Sequence, residues 1–354
     1  MTAVPHAAPH RLRLSADALV ANWRALARMS GARAACGAAV KADGYGLGAA
    51  AVVQRLAAAG CRDLFVSSWA EAAALPVAAP LGLSVLHGVR AEDMPLAAAL
   101  PHVRPVLNTA QQVARWRDAG GGRACDVMVD TGMNRLGIAP ADIAGGLLDG
   151  LVIDTLMSHL ACADEPAAAM NRDQLHRFAA LRGATRARRM SLANSAGIAL
   201  GADYAFDLTR PGLSLYGGVP CPALADTIRP VVTIEAQLLQ RRIVRAGEVV
   251  GYNATWVAPA DTPVGTANLG YADGYGRGFS DRGRAQAVAG DGPWLPVIGR
   301  VSMDLVALDL TGTTLAEGDW IAFDPDLPRA AAASGRSQYE LLTGLGKRFD
   351  RVWA

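Results

Sequence analysis

The sequence is short of lysine and has no long apolar run. Only two of its 34 Lys and Arg residues are lysines, Lys41 and Lys347. A lysine kept in a chain that otherwise uses arginine is a candidate for chemistry, because an amine that loses its proton is a nucleophile and a guanidinium is not. No stretch of about 18 apolar residues is present, so we expect no membrane-spanning helix.

Paired cysteines, a secretion signal and a basic stripe are also missing. The five cysteines are odd in number and include no Cys-x-x-Cys pair; they are Cys36, Cys61, Cys125, Cys162 and Cys221. Free thiols in a reducing compartment are the simplest interpretation. Residues 1–10 lack the basic and apolar regions of a signal peptide, so we expect a cytoplasmic protein. A formal net charge of only +2 does not favour binding to nucleic acid or to a membrane surface.

Short apolar runs alternate with longer, often alanine-rich segments across residues 11–230. The runs lie at about 38–41, 64–67, 83–87, 103–107, 126–130, 151–158, 189–193 and 206–209. Eight strand candidates that alternate with helix candidates predict an α/β fold, a parallel sheet closed into a (β/α)8 TIM barrel. Ser15 is positioned to cap a helix over residues 16–29.

The pattern changes after residue 230. Strand-like segments follow, separated by Gly and Asp turn signals, at 231–237, 243–252, 263–271, 294–301, 305–310 and 320–323. Because little helix pattern lies between them, they predict a second, mostly β domain over residues 231–354, after a barrel domain over residues 11–230. Residues 11–14 alternate like a strand and could pair with the second domain.

Polar residues follow the apolar runs of the predicted barrel. In such barrels, catalytic groups gather at the carboxyl ends of the strands. The residues in these positions are Lys41 and Tyr45, His87, Asn108, Asp130 and Arg135, His159, Asn194 and Ser195, and Arg210. They are the candidates for a functional site, although polar residues also commonly begin loops.

Three interpretations are open for the stretch around Lys41, which reads Gly37-Ala-Ala-Val-Lys-Ala-Asp-Gly-Tyr-Gly-Leu-Gly48. Lys41 could be a solvated lysine at a strand end. A phosphate-binding loop fits less well, because the lysine precedes the glycines and the order Gly-x-x-x-x-Gly-Lys-Ser/Thr is absent. The third interpretation is a Schiff-base lysine, followed by a glycine-rich turn that lets another group approach closely.

This stretch resembles the cofactor-lysine motif of the alanine racemase family, pyridoxal-phosphate enzymes of fold-type III. Further motifs similar to those of the family follow in the family's order, at residues 126–137, 158–164, 191–197, 210–217, 250–256, 270–275, 299–304 and 339–342. One such motif would be weak, whereas an ordered set that runs through nearly the whole chain is specific.

The resemblance implies racemisation by two bases in a homodimer. Lys41 would bind pyridoxal 5'-phosphate through its amine and, once the substrate has displaced it, act as a base on one face of the substrate Cα. The partner subunit's Tyr271 would act on the opposite face. A phenol is a poor base at its reference pKa of about 10 and needs a nearby cation or hydrogen-bond donor. His159 is the implied helper.

The resemblance also implies contacts to cofactor and substrate. Arg210 would face the pyridine nitrogen and keep it unprotonated, because an arginine does not readily give up or accept a proton. The other implied cofactor contacts are Tyr45, Asn194, Ser195, Gly212, Leu213 and Tyr339. The implied substrate contacts are Arg135, Met303 and Asp304. Taken alone, Ser195 could be an ordinary helix cap and His159 a core residue.

Three residues depart from the family pattern. Met128 stands where many members carry a lysine that becomes carbamylated and braces the arginine matching Arg135. A thioether cannot form that carbamate, so Arg135 would be braced by an anion or by Asn134, or be held more loosely. Leu47 replaces a usual histidine, and Ser302 replaces a frequent cysteine.

We therefore expect an alanine racemase that supplies D-alanine for peptidoglycan or serves alanine catabolism. The nearest alternative, motivated by Met128, is a racemase of broader range that also accepts serine or a similar amino acid. A non-catalytic pyridoxal-phosphate-binding protein is disfavoured by the second domain and Tyr271. A decarboxylase or aldolase of this fold would need an acid at Arg210 or metal ligands, and no His, Cys and Asp set has metal-ligand spacing.

Overall fold

The computed structural model describes residues 8–288 and 292–354, which form two compact units. One unit is Leu19–Arg229, and the other combines the chain before Leu19 with Pro230–Ala354. Most of the segment considered for a signal peptide, residues 1–7, lies outside the described residues. Within the described residues, none of the helices combines the length and the apolar character needed to cross a bilayer.

The Leu19–Arg229 unit is built on short parallel strands that alternate with helices. After β1 (His10–Leu14), which belongs to the other unit, the strands are β2 (Ala35–Cys36), β3 (Ala38–Ala39), β4 (Asp63–Val66), β5 (Gly82–Val85), β6 (Val103–Leu107), β7 (Cys125–Met128), β8 (Ile153–Met157), β9 (Arg189–Ser191) and β10 (Leu208–Thr209). The helices are α1 (Ala16–Met29), α2 (Lys41–Tyr45), α3 (Ala49–Ala59), α4 (Trp69–Ala73), α5 (Met94–Ala99), α6 (Ala110–Ala119), α7 (Pro140–Ala144), α8 (Ala169–Ala179) and α9 (Ser195–Ala199). Helix α1 has the predicted bounds, and Ser15 Oγ accepts a hydrogen bond from Ala18 N at 3.1 Å, as predicted.

The parallel strands close into a barrel. Strands β3 to β9 pair in chain order, and β10 pairs with β2. Three backbone hydrogen bonds of 2.9 Å join the last strand region to the first, from Ala35 N to Asp207 O, from Gly37 N to Thr209 O and from Ala39 N to Pro211 O. Another joins Arg210 N to Ala193 O, just beyond β9. The predicted (β/α)8 barrel is confirmed.

Ion pairs tie together the amino-terminal halves of several barrel strands. Asp126 of β7 is fully buried and accepts a hydrogen bond from Arg104 Nε of β6 at 3.4 Å. Arg189 of β9 forms ion pairs of 2.7 Å with Asp63 of β4 and with Asp154 of β8. These charges neutralise one another, so we interpret the network as structural and look for chemistry at the carboxyl ends of the strands.

The other unit is a mostly antiparallel sheet organised around one long strand. The elements that follow β10 are β11 (Val232–Val244), β12 (Val249–Val250), β13 (Trp256–Val257), β14 (Thr262–Ala267), β15 (Arg284–Ala287), β16 (Leu295–Ile298), β17 (Val306–Asp309), β18 (Trp320–Phe323), α10 (Leu327–Ser334), α11 (Gln338–Thr343) and β19 (Asp350–Trp353). Strand β11 pairs with β1 and β18 over its first part and with β14 over its second. The register shifts between Leu238 and Gln240, and such an irregularity lets one strand bend between two parts of a sheet.

The β character of this unit agrees with the prediction, but two details differ. The segment predicted at 231–237 is longer than expected, because β11 continues through the register shift as far as Val244. Of the segment predicted at 243–252, only the first two residues belong to β11, and Val249–Val250 form the separate short strand β12. Helices α10 and α11 were missed. Their caps are visible in the sequence in retrospect, since Asp326 accepts from Arg329 N and Ser337 from Glu340 N.

Closure of the barrel depends on a close approach at Gly37, between β2 and β3. A Cβ atom added there would lie 2.8 Å from Asp63 O and 2.9 Å from Phe65 Cε2. We expect Gly37→Ala to lower the free energy of unfolding by roughly 1–3 kcal/mol through overpacking, measured by urea denaturation. Gly292→Ala is the control, because its Cβ would meet nothing within 4 Å, and its effect should stay below about 0.5 kcal/mol. Equal effects would contradict this account of closure.

Candidate functional site

Lys41 follows β3 and opens a turn with an unusual backbone. The φ angles are 53° at Ala42, 53° at Asp43, 63° at Gly44 and 56° at Tyr45. Left-handed backbone is costly for residues other than glycine, and it persists only where surrounding contacts enforce it. The turn is therefore a strained feature and not a simple end of a strand.

Two carboxylates hold this turn. Glu71 accepts hydrogen bonds from Ala42 N at 2.9 Å and from Ser67 N at 2.6 Å, so it links the turn to the residue after β4. Asp43 Oδ1 accepts from Ala49 N at 2.8 Å, at the start of α3. Lys41 thus stands on a backbone fixed on both sides. Glu71 was not among the residues selected from the sequence.

The surroundings of the Lys41 amine favour its neutral form. Burial lowers the pKa of Lys41, the charge of Arg135 lowers it further, and Glu71 opposes the shift. A neutral amine carries the lone pair that nucleophilic attack and proton abstraction require. A fully solvated lysine at a strand end would show no such shift, so this interpretation of Lys41 does not fit the structure.

His159 lies among the cations at the same end of the barrel. Burial, together with the charges of Arg210, Arg135 and Lys41, lowers the pKa of His159 to about 3. The imidazole is therefore neutral near pH 7. Because these charges act on one ring, the four side chains share one neighbourhood.

Arg210 is buried and fixed by its neighbours. Its Nη1 donates to Ser191 Oγ and its Nη2 to Ser158 O. Ser158 Oγ in turn bonds Val129 O and Thr131 Oγ1, each at 2.8 Å. Burial lowers the pKa of Arg210 to about 10, so its guanidinium still carries a positive charge near pH 7. The site thus contains a donor that is positively charged near pH 7 and held in a fixed orientation.

Ser195, the first residue of α9, gathers backbone N–H groups. Its Oγ accepts hydrogen bonds from Gly212 N at 3.0 Å and from Ser214 N at 3.2 Å. Asn194 caps the helix by accepting from Gly197 N at 2.9 Å. The backbone N–H of Gly212, which the resemblance implies as a phosphate donor, is therefore bonded within the protein here.

Tyr45 packs against the same segment. Its ring stacks on that of Tyr216, with centroids 4.6 Å apart. A Cβ atom at Gly212 would lie 2.3 Å from the Tyr45 hydroxyl oxygen, so this close approach requires glycine. Leu213 is buried beside it. Tyr45, Gly212 and Ser195 thus form a compact group of hydroxyl and backbone groups next to the Lys41 turn.

Arg135 is exposed on the loop after β7. Asp130 Oδ1 shapes this loop by accepting from Gly132 N at 2.8 Å and from Asn134 N at 3.1 Å. Within the described part of the chain, the Arg135 side chain has no hydrogen-bond or ion-pair partner, so Asn134 does not brace it. Met128 is the last residue of β7, and its thioether carries no charge that could pair with an arginine.

Tyr271 belongs to the other unit, where its turn is closely packed. Tyr271 N donates to Ser302 O and Ala272 N to Met303 O, each at 3.0 Å. A Cβ atom at Gly270 would lie 2.2 Å from Met303 O, so only glycine permits this approach. The Tyr271 side chain itself is 37% exposed.

Asp273 and Arg348 connect the Tyr271 turn to Asp304. Asp273 is fully buried; it accepts from Gly270 N at 3.0 Å and from Arg348 Nε at 2.7 Å. Arg348 Nη1 also donates to Asp304 Oδ1 at 2.8 Å. The network holds Tyr271 and Asp304 in one group. Sequence reasoning missed both connecting residues, although Asp273 lies inside the Gly-Tyr-Ala-Asp motif.

Tyr339, implied as a cofactor contact, is the second residue of α11. Leu341 and Leu342 of this helix are buried, whereas Tyr339 is 47% exposed. Its ring therefore lies on the outer face of the helix.

The other residues selected from the sequence have different surroundings. His87 is exposed, and Asn108 is buried and donates to Leu86 O at 3.0 Å and Val106 O at 2.6 Å. Leu47, which stands where the family usually has histidine, is fully buried. Across residues 8–288 and 292–354, no group of three or more His, Cys, Asp or Glu side chains could hold a metal ion. All five cysteines are free.

Comparison with known families covers both units. The family "Alanine racemase, N-terminal domain" matches residues 14–220, and "Alanine racemase, C-terminal domain" matches residues 231–353. Two alanine racemases of Agrobacterium fabrum, one catabolic and one biosynthetic, are each 40% identical to this chain. The catabolic match covers 97% of this chain and 91% of that protein, and the biosynthetic match covers 98% and 94%.

A solved structure agrees with these sequence matches. The alanine racemase of Bartonella henselae, with covalently bound pyridoxal phosphate, superposes with a TM-score of 0.89 at 31% sequence identity. The superposition covers 98% of this chain and 100% of that one.

The neutral His159 ring should make the fold sensitive to acid. Because the pKa of His159 is lowered to about 3, against about 6.5 in an unfolded chain, the unfolded state binds more protons between these pH values. The free energy of unfolding should therefore fall as the pH drops below about 6.5. We expect this fall to be shallower in His159→Asn, measured by urea denaturation between pH 7 and pH 4.

The control is His176→Asn, because His176 is exposed on α8 and should leave the pH slope unchanged. A slope for His159→Asn equal to that of the unsubstituted protein would show that His159 does not lose its proton on folding.

Proposed function

We propose that this chain, which belongs to the alanine racemase family, uses pyridoxal 5'-phosphate to interconvert L-alanine and D-alanine. Lys41 and the partner subunit's Tyr271 would exchange protons on opposite faces of the substrate Cα. The observation that carries the proposal is the partly buried lysine with a lowered pKa, among Arg135, His159 and Arg210 at the end of a closed barrel. Matches over nearly the whole chain support the same reaction.

The residues at the barrel end fit pyridoxal phosphate. Lys41 offers an amine that reacts with an aldehyde, and Arg210 offers a buried, permanently charged donor for the ring nitrogen. Ser195 and Tyr45 offer hydroxyl groups for the phosphate. When bound, this cofactor supplies an electron sink that makes the Cα proton of an amino acid removable. The chain must supply binding groups and two proton carriers.

Lys41 is suited to one of these two roles. A lowered pKa increases the fraction of neutral amine near pH 7, and only the neutral amine can accept a proton at Nζ. The strained turn and Glu71 fix the backbone from which the side chain extends. An amine on a fixed backbone accepts a proton more efficiently than one on a mobile backbone, because less conformational entropy is lost on reaching the transition state.

The opposite face of the substrate needs a second carrier, for which we propose the Tyr271 hydroxyl. Two residues of the C-terminal unit that we propose for the site are solvent-exposed in a single chain. The exposed fraction is 37% for Tyr271 and 54% for Met303. Exposed groups on a rigid turn are suited to completing the site of another subunit, which supports a homodimer with shared sites. Free cysteines support the proposed cytoplasmic location.

Arg135 would bind the substrate carboxylate together with Met303 and Asp304. Its guanidinium is exposed and, among the described residues, has no partner, so it can form a bidentate pair with a carboxylate without breaking an existing bond. The same observation favours one alternative. With a thioether at Met128 instead of a bracing lysine, Arg135 could adjust to larger amino acids such as serine. A panel of L-amino acids tested for racemisation decides between a narrow and a broad substrate range.

The reaction can serve peptidoglycan synthesis or alanine breakdown. Both a catabolic and a biosynthetic relative are 40% identical to this chain. The proposal therefore concerns the reaction, which either pathway requires.

The test begins with purified protein, added pyridoxal phosphate and L-alanine. D-Alanine should form, and Tyr271→Phe should lower kcat by about 10²- to 10⁴-fold, because the phenol that carries one proton is lost. The visible absorption of bound cofactor should persist in this variant. Lys41→Ala should lose both the absorption and the activity.

Tyr252→Phe is the matched control, since Tyr252 is 65% exposed in the same unit and lies outside the proposed site. It should keep full activity. A Tyr271→Phe variant with an unchanged kcat would refute the two-base assignment, and a cofactor-loaded protein that forms no D-alanine would refute the function.

A further inference from the structure

We propose that Arg277 is a positioning residue for Tyr271. Tyr271 carries the proton, and Arg277 assists it through a cation–π contact. This inference rests on the proposed function, since it concerns the residue proposed there as the second base. The Cζ atom of Arg277 lies 5.2 Å from the centroid of the Tyr271 ring. A guanidinium within about 6 Å of an aromatic centroid is attracted by the electron density of the ring face.

The Arg277 guanidinium has no competing partner among the described residues. It makes no hydrogen bond and no ion pair there, and its side chain is exposed. Most arginines of the C-terminal unit with a close aromatic neighbour also pair with a carboxylate. Arg11 lies over Trp320 and pairs with Glu235, and Arg284 lies over Trp294 and pairs with Asp324. Among residues 8–288 and 292–354, the Arg277 side chain contacts no charged or polar partner besides the tyrosine ring.

Both partners stand on anchored backbone. On one side, Tyr271 N is bonded to Ser302 O at 3.0 Å. On the other side, Arg277 begins a short helical turn whose last residue, Phe279, is buried. Phe279 stacks on Tyr275, with centroids 4.2 Å apart. The two backbone segments that carry the cation and the ring are therefore anchored by packed residues.

The contact favours the chemistry that a tyrosine base needs. When a phenol loses its proton, the negative charge spreads into the ring, so a cation over the ring stabilises the phenolate more than the phenol. Arginine keeps its charge throughout, because its guanidinium does not deprotonate in this pH range. In this proposal Arg277 acts on Tyr271 through the face of the ring and does not itself exchange a proton.

Arg277 complements His159, the helper that the family resemblance implies. His159 belongs to the barrel unit and is neutral, because its pKa is lowered to about 3. A neutral imidazole can share a hydrogen bond but supplies no positive charge. Arg277 supplies that charge from the same chain and the same unit as Tyr271, so each subunit carries the pair with it.

A double-mutant cycle tests the inference. Arg277→Gln should lower kcat by about 2- to 30-fold, the range expected from an exposed to a desolvated cation–π contact, with little change in KM for alanine. Arg277→Lys, which keeps the positive charge, should recover part of the loss. In a Tyr271→Phe background, Arg277→Gln should cause no further loss, because the group through which it acts is absent.

Arg242→Gln is the control, since Arg242 is an exposed arginine of the same unit that bonds Gln240 Oε1; its kinetics should not change. Cofactor absorption and thermal unfolding of each variant identify any loss that comes from misfolding. Arg277→Gln with an unchanged kcat, with a change in KM alone, or with an equal loss in the Tyr271→Phe background would overturn the inference. Full activity of Tyr271→Phe would instead refute the proposed two-base function.

Discussion

The lowered pKa of Lys41 is the constraint on which the rest of the site depends. An amine held at the end of the barrel beside Arg135, with Arg210 and His159 nearby, loses much of the solvation that would keep it protonated. The same cations create a positive field that attracts phosphate and carboxylate groups. One charge arrangement therefore explains both an amine ready for chemistry and a site suited to an anionic cofactor and substrate.

The C-terminal unit prepares its proposed proton carrier by different means. Tyr271 is partly exposed and stands on a turn fixed by Gly270, Asp273 and Arg348. The guanidinium of Arg277 lies over its ring. Two carriers that rest on separate units can each be tuned separately, so that an amine and a phenol with very different reference pKa values can serve one reaction.

Local features of this chain could be predicted from its sequence, and long-range features could not. The start of α1 after Ser15, the barrel strands and the position of Ser195 at a helix start follow from short patterns. The ion pair between Asp273 and Arg348 joins residues 75 positions apart, and no local pattern specifies it. The left-handed backbone of the turn after Lys41 could not be predicted either, because three of its residues are not glycine. Contacts with Glu71 and with α3 hold the turn in this conformation.

The central claim is that Lys41 of one subunit works with the partner subunit's Tyr271. It is tested most directly by mixing Lys41→Ala and Tyr271→Phe proteins, each nearly inactive, under conditions in which subunits exchange. Every hybrid dimer would then hold one site with both residues intact, and activity should rise to about a quarter of the unsubstituted level by statistical pairing. If exchange is verified and activity stays at the level of the two parents, the shared two-base site is contradicted.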